Sequence, residues 1–141
     1  MRRFWASAGA LSVLVSCASS PTVPSGDPVA EFELAAGESA AVSGTGLTVR
    51  FDRVVSDSRC PANALCITAG DAEIAVSVRR AGRPATGLSL RTLEGGNRVA
   101  LGDWLLSFTQ LSPYPFTDSP IAPGEYRATF RVDPVAQPAR R

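Results

Sequence analysis

Three sets of residues have the types and spacing to do chemistry: a pair of thiols, a carboxylate beside a guanidinium, and two aromatic rings held between prolines. Cys60 and Cys66 flank the five residues Pro61-Ala62-Asn63-Ala64-Leu65. Such a pair can close a structural disulfide, work as a redox couple, or stay reduced. A redox couple ordinarily takes the Cys-x-x-Cys spacing beside a thioredoxin-type helix. Structural zinc takes four Cys or His ligands, and this chain has no histidine. With Cys17 set apart for the reason given below, the remaining cysteines are even in number, which suits a disulfide in an oxidising compartment. Closing so short a loop removes unfolded-chain entropy worth about 2 kcal/mol. The expectation is a bridge that pins the loop between a strand ending near Val55 and one beginning near Asp71.

Asp57 and Arg59 stand two residues apart just before that loop. Alternate residues at a strand end share a face, so the two can form a binding pair beside a rigid loop. They can equally be structural, with Asp57 capping the turn and Arg59 pairing with it or with a backbone carbonyl. Pro113-Tyr114-Pro115-Phe116 is a second candidate surface. Prolines hold Tyr114 and Phe116 out at low entropy cost, the alternative being that the rings pack over the edge of the fold. The candidate binding surface is thus Asp57, Arg59, Tyr114 and Phe116.

Absences narrow the chemistry further. All 14 basic residues are arginine, histidine and lysine are missing, and the only methionine is Met1. No Ser-His-Asp or Cys-His relay and no imidazole ligand can be built. Neither can a Ser-Lys dyad, a Schiff base or a thioether copper site. No catalytic residue, metal or cofactor is expected. A hydrolase would have to rest on two carboxylates about 5–9.5 Å apart in a cleft. The near balance of 14 basic and 13 acidic residues gives no reason to expect nucleic acid as a partner.

The elements that must position these groups read as strands. Alternation with period two recurs from Val29 onward. Phe32 and Leu34 share a face before the Ala36-Gly37-Glu38 turn, and Ala40 and Val42 lie on a short strand ending at Gly44-Thr45-Gly46. Leu47, Val49 and Phe51 point one way, as do Ile74, Val76 and Val78 on a later strand. Leu88 and Leu90, then Val99 and Leu101, then Trp104, Leu106 and Phe108 continue the pattern. Tyr126, Ala128, Phe130 and Val132 end it, with Arg127, Thr129 and Arg131 outward. About eight short strands with Gly/Pro turns and no helical period predict an all-β, antiparallel, immunoglobulin-like sandwich over residues 29–134, the alternative being a small barrel. Pro123-Gly124-Glu125-Tyr126 resembles the tyrosine corner of such domains, whose hydroxyl bonds back to the preceding loop. A plain buried aromatic is the other reading.

The first residues give the address. Met1-Arg2-Arg3 is basic, Phe4 to Val15 carries no charge, and Leu14-Val15-Ser16 lead into Cys17. The apolar run is shorter than the about 20 residues that span a bilayer, and its layout is that of a secretory signal. It resembles a bacterial lipoprotein signal, whose terminal cysteine is acylated and becomes the first mature residue. The alternative is an ordinary secreted chain with a stray thiol. The resemblance implies a multiply acylated Cys17, and two or more chains anchor stably where one does not. Residues 17–28, rich in Ser and Pro, then form a tether that can hold the domain up to about 35 Å from the lipid. Residues 135–141 are expected to be a disordered tail. Ala18 and Ser19 lack the aspartate that retains many such lipoproteins in the inner membrane, which favours an outer membrane facing the periplasm in an organism that has one.

Asp57-Ser58-Arg59-Cys60-Pro61, followed by Cys66 and Gly70, resembles a family of uncharacterised bacterial secreted proteins and lipoproteins. The likeness extends to Leu111-Ser112-Pro113-Tyr114-Pro115 and to Glu125-Tyr126-Arg127-Ala128-Thr129, and so covers most of residues 30–133. That family typically has an aromatic two residues after the second cysteine, where this chain has Thr68. The family brings no established activity. The expected function is a membrane-anchored envelope lipoprotein with a non-catalytic binding or structural domain, its partners the membrane and another envelope protein or wall component. An inhibitor of a peptidase or lysozyme is the alternative, and a carboxylate-based hydrolase stands behind it.

Overall fold

A computed structural model describes residues 29–135. The signal, Cys17, the tether and all of the expected tail except Val135 lie outside the described residues. The eight strands are β1 (Ala30–Ala35), β2 (Ser39–Val42), β3 (Leu47–Asp57), β4 (Ala72–Arg80), β5 (Thr86–Arg91), β6 (Arg98–Leu101), β7 (Trp104–Ser112) and β8 (Arg127–Pro134). A single 3₁₀ turn, Pro123–Glu125, precedes β8.

The strands form two four-stranded sheets, ordered β1-β8-β7-β6 and β2-β3-β4-β5, with every ladder antiparallel. The sandwich is therefore the observed architecture and the barrel is not, because no ladder joins the two sheets at either edge. Neighbours within each sheet follow chain order, except that β1 closes onto β8. The chain changes sheet at β1–β2 and at β5–β6.

Period-two alternation supplies the core. Val49 and Phe51 face Val78 and Val76 across one ladder, with Leu47 buried beside them, and Ala128, Phe130 and Val132 line the other sheet. Each large apolar side chain withdrawn from water in this way contributes about 1.5–3 kcal/mol. Phe130 is the hub: its ring lies 5.9 Å from Phe32, 5.9 Å from Phe108 and 6.5 Å, edge-on, from Phe51 in the opposite sheet.

Bulges break the alternation at three places. In β3, Asp52 and Val55 have no partner in the ladder, so Phe51, Val54 and Asp57 lie opposite the buried Val76, Ile74 and Ala72. In β7, Thr109 is the extra residue, and Leu111 rather than Gln110 is buried after Phe108. An extra residue re-aims every later side chain in its strand. In β3 the first bulge turns Arg53 outward and Val54 inward, and the second restores the original parity, so Asp57 faces inward at the strand's end as plain alternation from Phe51 also places it.

The registers also sort the loops by end. Ala35 pairs with Arg127, Asp57 with Ala72 and Ser112 with Arg127. The β3–β4 loop (58–71), the β5–β6 turn (92–97) and the β7–β8 loop (113–126) therefore share one end. Ala30 pairs with Val132, Leu47 with Arg80 and Trp104 with Pro134. The chain's entrance at Val29, its exit at Val135 and the β2–β3, β4–β5 and β6–β7 turns lie at the other end.

Candidate functional site

The end away from Val29 is built on the pair Asp57–Arg59. The guanidinium grips the carboxylate with two parallel bonds, Nε to Oδ1 at 2.8 Å and Nη2 to Oδ2 at 2.6 Å. The Arg59 amide also donates to Oδ1 at 3.2 Å. On its other side Arg59 donates from Nη1 to the Leu111 carbonyl at 2.6 Å and from Nη2 to the Pro113 carbonyl at 3.0 Å. The Tyr114 ring covers the guanidinium, 5.0 Å from its centroid. Only arginine offers a planar fork that can serve a carboxylate and two carbonyls at once.

With 6% of the Arg59 side chain and 8% of Asp57 exposed, neither group is free to meet a partner. The expected binding surface is corrected here. Asp57 and Arg59 are the internal clamp of the loops, because Asp57 faces inward at the end of β3 and its charge must be matched there. Tyr114 and Phe116 remain on the surface, 50% and 49% exposed.

Tyr126 completes the clamp. Its hydroxyl donates to Asp57 Oδ2 at 3.2 Å. The tyrosine-corner expectation is corrected in its partner: the acceptor lies at the end of β3 in the opposite sheet, not in the loop before β8. Burial raises the Asp57 pKa, but the bonds and charge of Arg59 and the Tyr126 hydroxyl outweigh it and hold the carboxyl below its usual range. For Tyr126, burial and the adjacent Asp57 charge both push the phenol upward.

From this clamp the loops are laced together. Cys60 and Cys66 are joined, with a Cα–Cα separation of 5.9 Å. Cys60 N donates to the Ala69 carbonyl and Ala62 N to the Pro115 carbonyl. Asn63 and Thr117 exchange two bonds, at 2.9 and 3.0 Å. Gly70 has φ +69°, and a Cβ there would lie 1.8 Å from the Ser58 carbonyl oxygen, so only glycine fits.

Asp71, which the sequence marks only as the start of a strand, ties in the β5–β6 turn. It accepts from Thr92 Oγ1 at 2.6 Å and from the amides of Thr92 and Leu93 at 3.1 and 3.3 Å. Burial again raises its pKa, and these bonds with that of Ala72 more than reverse the shift. Asp71 and Glu73 share Arg91, at 3.7 and 3.1 Å.

What this scaffold presents is apolar. Leu65 and Ile67, on either side of Cys66, are fully exposed, and Leu93, Tyr114 and Phe116 are about half exposed. Leu93, Tyr114 and the floor residue Arg59 also line a shallow groove of about 400 Å³ between the loops. Leu65 and Ile67 were not singled out by sequence reasoning. The available signal was their position: a loop closed across five residues has no interior in which to hide them. Among the described residues no group of three or more Cys, Asp or Glu side chains converges to hold a metal ion.

Segments 57–70, 111–115 and 125–129, on which the family resemblance rests, meet at this one end. Comparison of the chain with protein-family profiles, with curated proteins and with solved structures finds no match.

Proposed function

We propose that this chain is an exported, lipid-anchored envelope protein whose sandwich binds a protein partner through the Leu65/Ile67 tip. The observation that carries the reading is the placement of two fully exposed aliphatic side chains on a bridged loop, at the end opposite Val29. Large apolar groups held in water by a rigid frame mark an interaction surface. Rigidity lowers the entropy lost on binding. An acylated Cys17 would put the tether at the membrane-facing end and leave the tip pointing away from the lipid.

The test uses the acylated protein in solubilised envelope. A Leu65→Ser/Ile67→Ser variant should keep the wild-type thermal midpoint and lose any larger complex seen on native gels. A complex unchanged by the variant would rule out the tip. Cys17→Ala should abolish palmitate labelling, and labelling that persists would rule out the anchor.

The short bridged loop also favours the inhibitor reading, because Leu65 is displayed next to a disulfide as a target's pocket would require. Inhibition of a peptidase or lysozyme that is lost in the same double variant would select it.

A further inference from the structure

The opposite end of the sandwich carries a second, chemically different surface. The β4–β5 turn runs Arg79-Arg80-Ala81-Gly82-Arg83 and bends at Gly82, whose φ is +73°. It is fastened to the β2–β3 turn by Ala81 N donating to the Gly46 carbonyl at 2.8 Å. Arg80 reaches across to the β6–β7 turn, where a Cβ on Gly102 would lie 2.5 Å from its Nη2. Arg80 and Arg83 border grooves on both sides of the turn. All three arginines are exposed, and none makes an ion pair or side-chain hydrogen bond among the described residues. Nearby acids do not cancel them: Asp133 is held by Arg131 at 3.0 Å, leaving Asp103 as the one unpaired carboxylate on the adjoining turns.

This is also the end at which the chain enters. Val29 donates to the Val132 carbonyl at 2.9 Å, and Val135 to that of Asp103 at 2.8 Å. Eleven residues lie between Cys17 and Val29, a length of chain that cannot hold the domain more than about 35 Å from the lipid. The tether therefore brings Arg79, Arg80 and Arg83 repeatedly within reach of the lipid. We infer that these three arginines dock the membrane-facing end of the domain onto anionic phospholipid headgroups of the bilayer that holds the anchor. The inference rests on the proposed acylation of Cys17. Guanidinium groups match phosphate geometry with paired donors, and the tether supplies the local concentration that makes a weak contact count. Docking by this end would hold the Leu65/Ile67 tip upright.

Trp104, half-buried at the start of β7 on this same end, is the reporter. It is the only tryptophan outside the signal segment. Acylated protein is reconstituted in phosphatidylcholine vesicles, with or without one quarter phosphatidylglycerol, each carrying traces of dansyl-labelled lipid. Energy transfer from Trp104 should rise in the anionic vesicles and return to the neutral-vesicle value in 0.5 M salt. R79Q/R80Q/R83Q should weaken the response at least about tenfold. A control of equal charge change on exposed arginines elsewhere, R53Q/R98Q/R127Q, should keep it. Equal transfer in both vesicle types, or a response lost equally in the two triple variants, would overturn the headgroup contact while leaving the anchor intact. The intact mass of the same sample is read separately: an unacylated Cys17 would overturn the anchor and this inference with it.

Discussion

The Tyr126 hydroxyl, at the foot of β8, donates to Asp57 Oδ2 at the end of β3, so one 3.2 Å bond links the two sheets where the loops begin. Asp57 in turn is forked by Arg59, which reaches Leu111 and Pro113. A hydrogen bond to a charged acceptor contributes about 1.5–3 kcal/mol. Tyr126→Phe should therefore keep the fold, since the ring stays in place, and lower unfolding free energy by about 1.5 kcal/mol in urea titration. An unchanged midpoint would mean the hydroxyl is satisfied equally well without Asp57.

Arg59 should be far less replaceable. Removing one partner of a buried ion pair costs about 3–5 kcal/mol, because the other charge is left unmatched. Arg59→Gln should fall in that range, and Arg59→Lys, which keeps the charge, should lose less but still be destabilised, since an ammonium cannot serve the carboxylate and two carbonyls together. A lysine variant of wild-type stability would show that charge alone suffices.

Stability should fall at both ends of the pH scale. Asp57 and Asp71 are depressed below the ordinary 3.8 in the folded chain, so their contribution is full above that value and is lost as acid protonates the folded carboxyls. Tyr126 is raised above its ordinary 10.0, so its contribution is full below 10 and fades as the unfolded phenol ionises. Denaturation midpoints measured from pH 2 to 11 should trace this plateau. Asp57→Asn should flatten the acid limb, and Tyr126→Phe the alkaline limb.

Opening the bridge should be milder than distorting the loop's base. Cys60→Ser/Cys66→Ser should cost about 2 kcal/mol by loop entropy. Gly70→Ala should cost more than that, since it places a methyl group on the Ser58 carbonyl in a left-handed backbone. The order of the two midpoints in guanidinium is the check, and the reverse order would contradict the geometry.

The strands were legible because one residue in two is apolar over Leu47–Phe51, Ile74–Val78 and Tyr126–Val132, and the structure buries those residues. The bulges were not. Asp52, Val55 and Thr109 look like ordinary strand residues, and what makes them extra is the partner strand's register. For that reason Val54 and Leu111 take the inward places that plain alternation gives to Arg53 and Gln110, while Asp57, past two bulges that cancel, keeps the parity of Phe51. The Tyr126 acceptor was hidden for a related cause: residues 57 and 126 meet only once two sheets are stacked. The bridge followed from counting thiols, whereas nothing in the pattern of the loop singled out the exposed Leu65 and Ile67.

The most direct test of the central claim, that the bridged tip is the binding surface, is photo-crosslinking in living cells. A photoreactive residue is placed at Leu65, and in a second strain at Ser43 on the opposite end. Position 65 should give a discrete adduct that disappears with Ile67→Ser, and position 43 none of the same size. Adducts of one size from both positions, or none from position 65 in a correctly exported and folded protein, would contradict it.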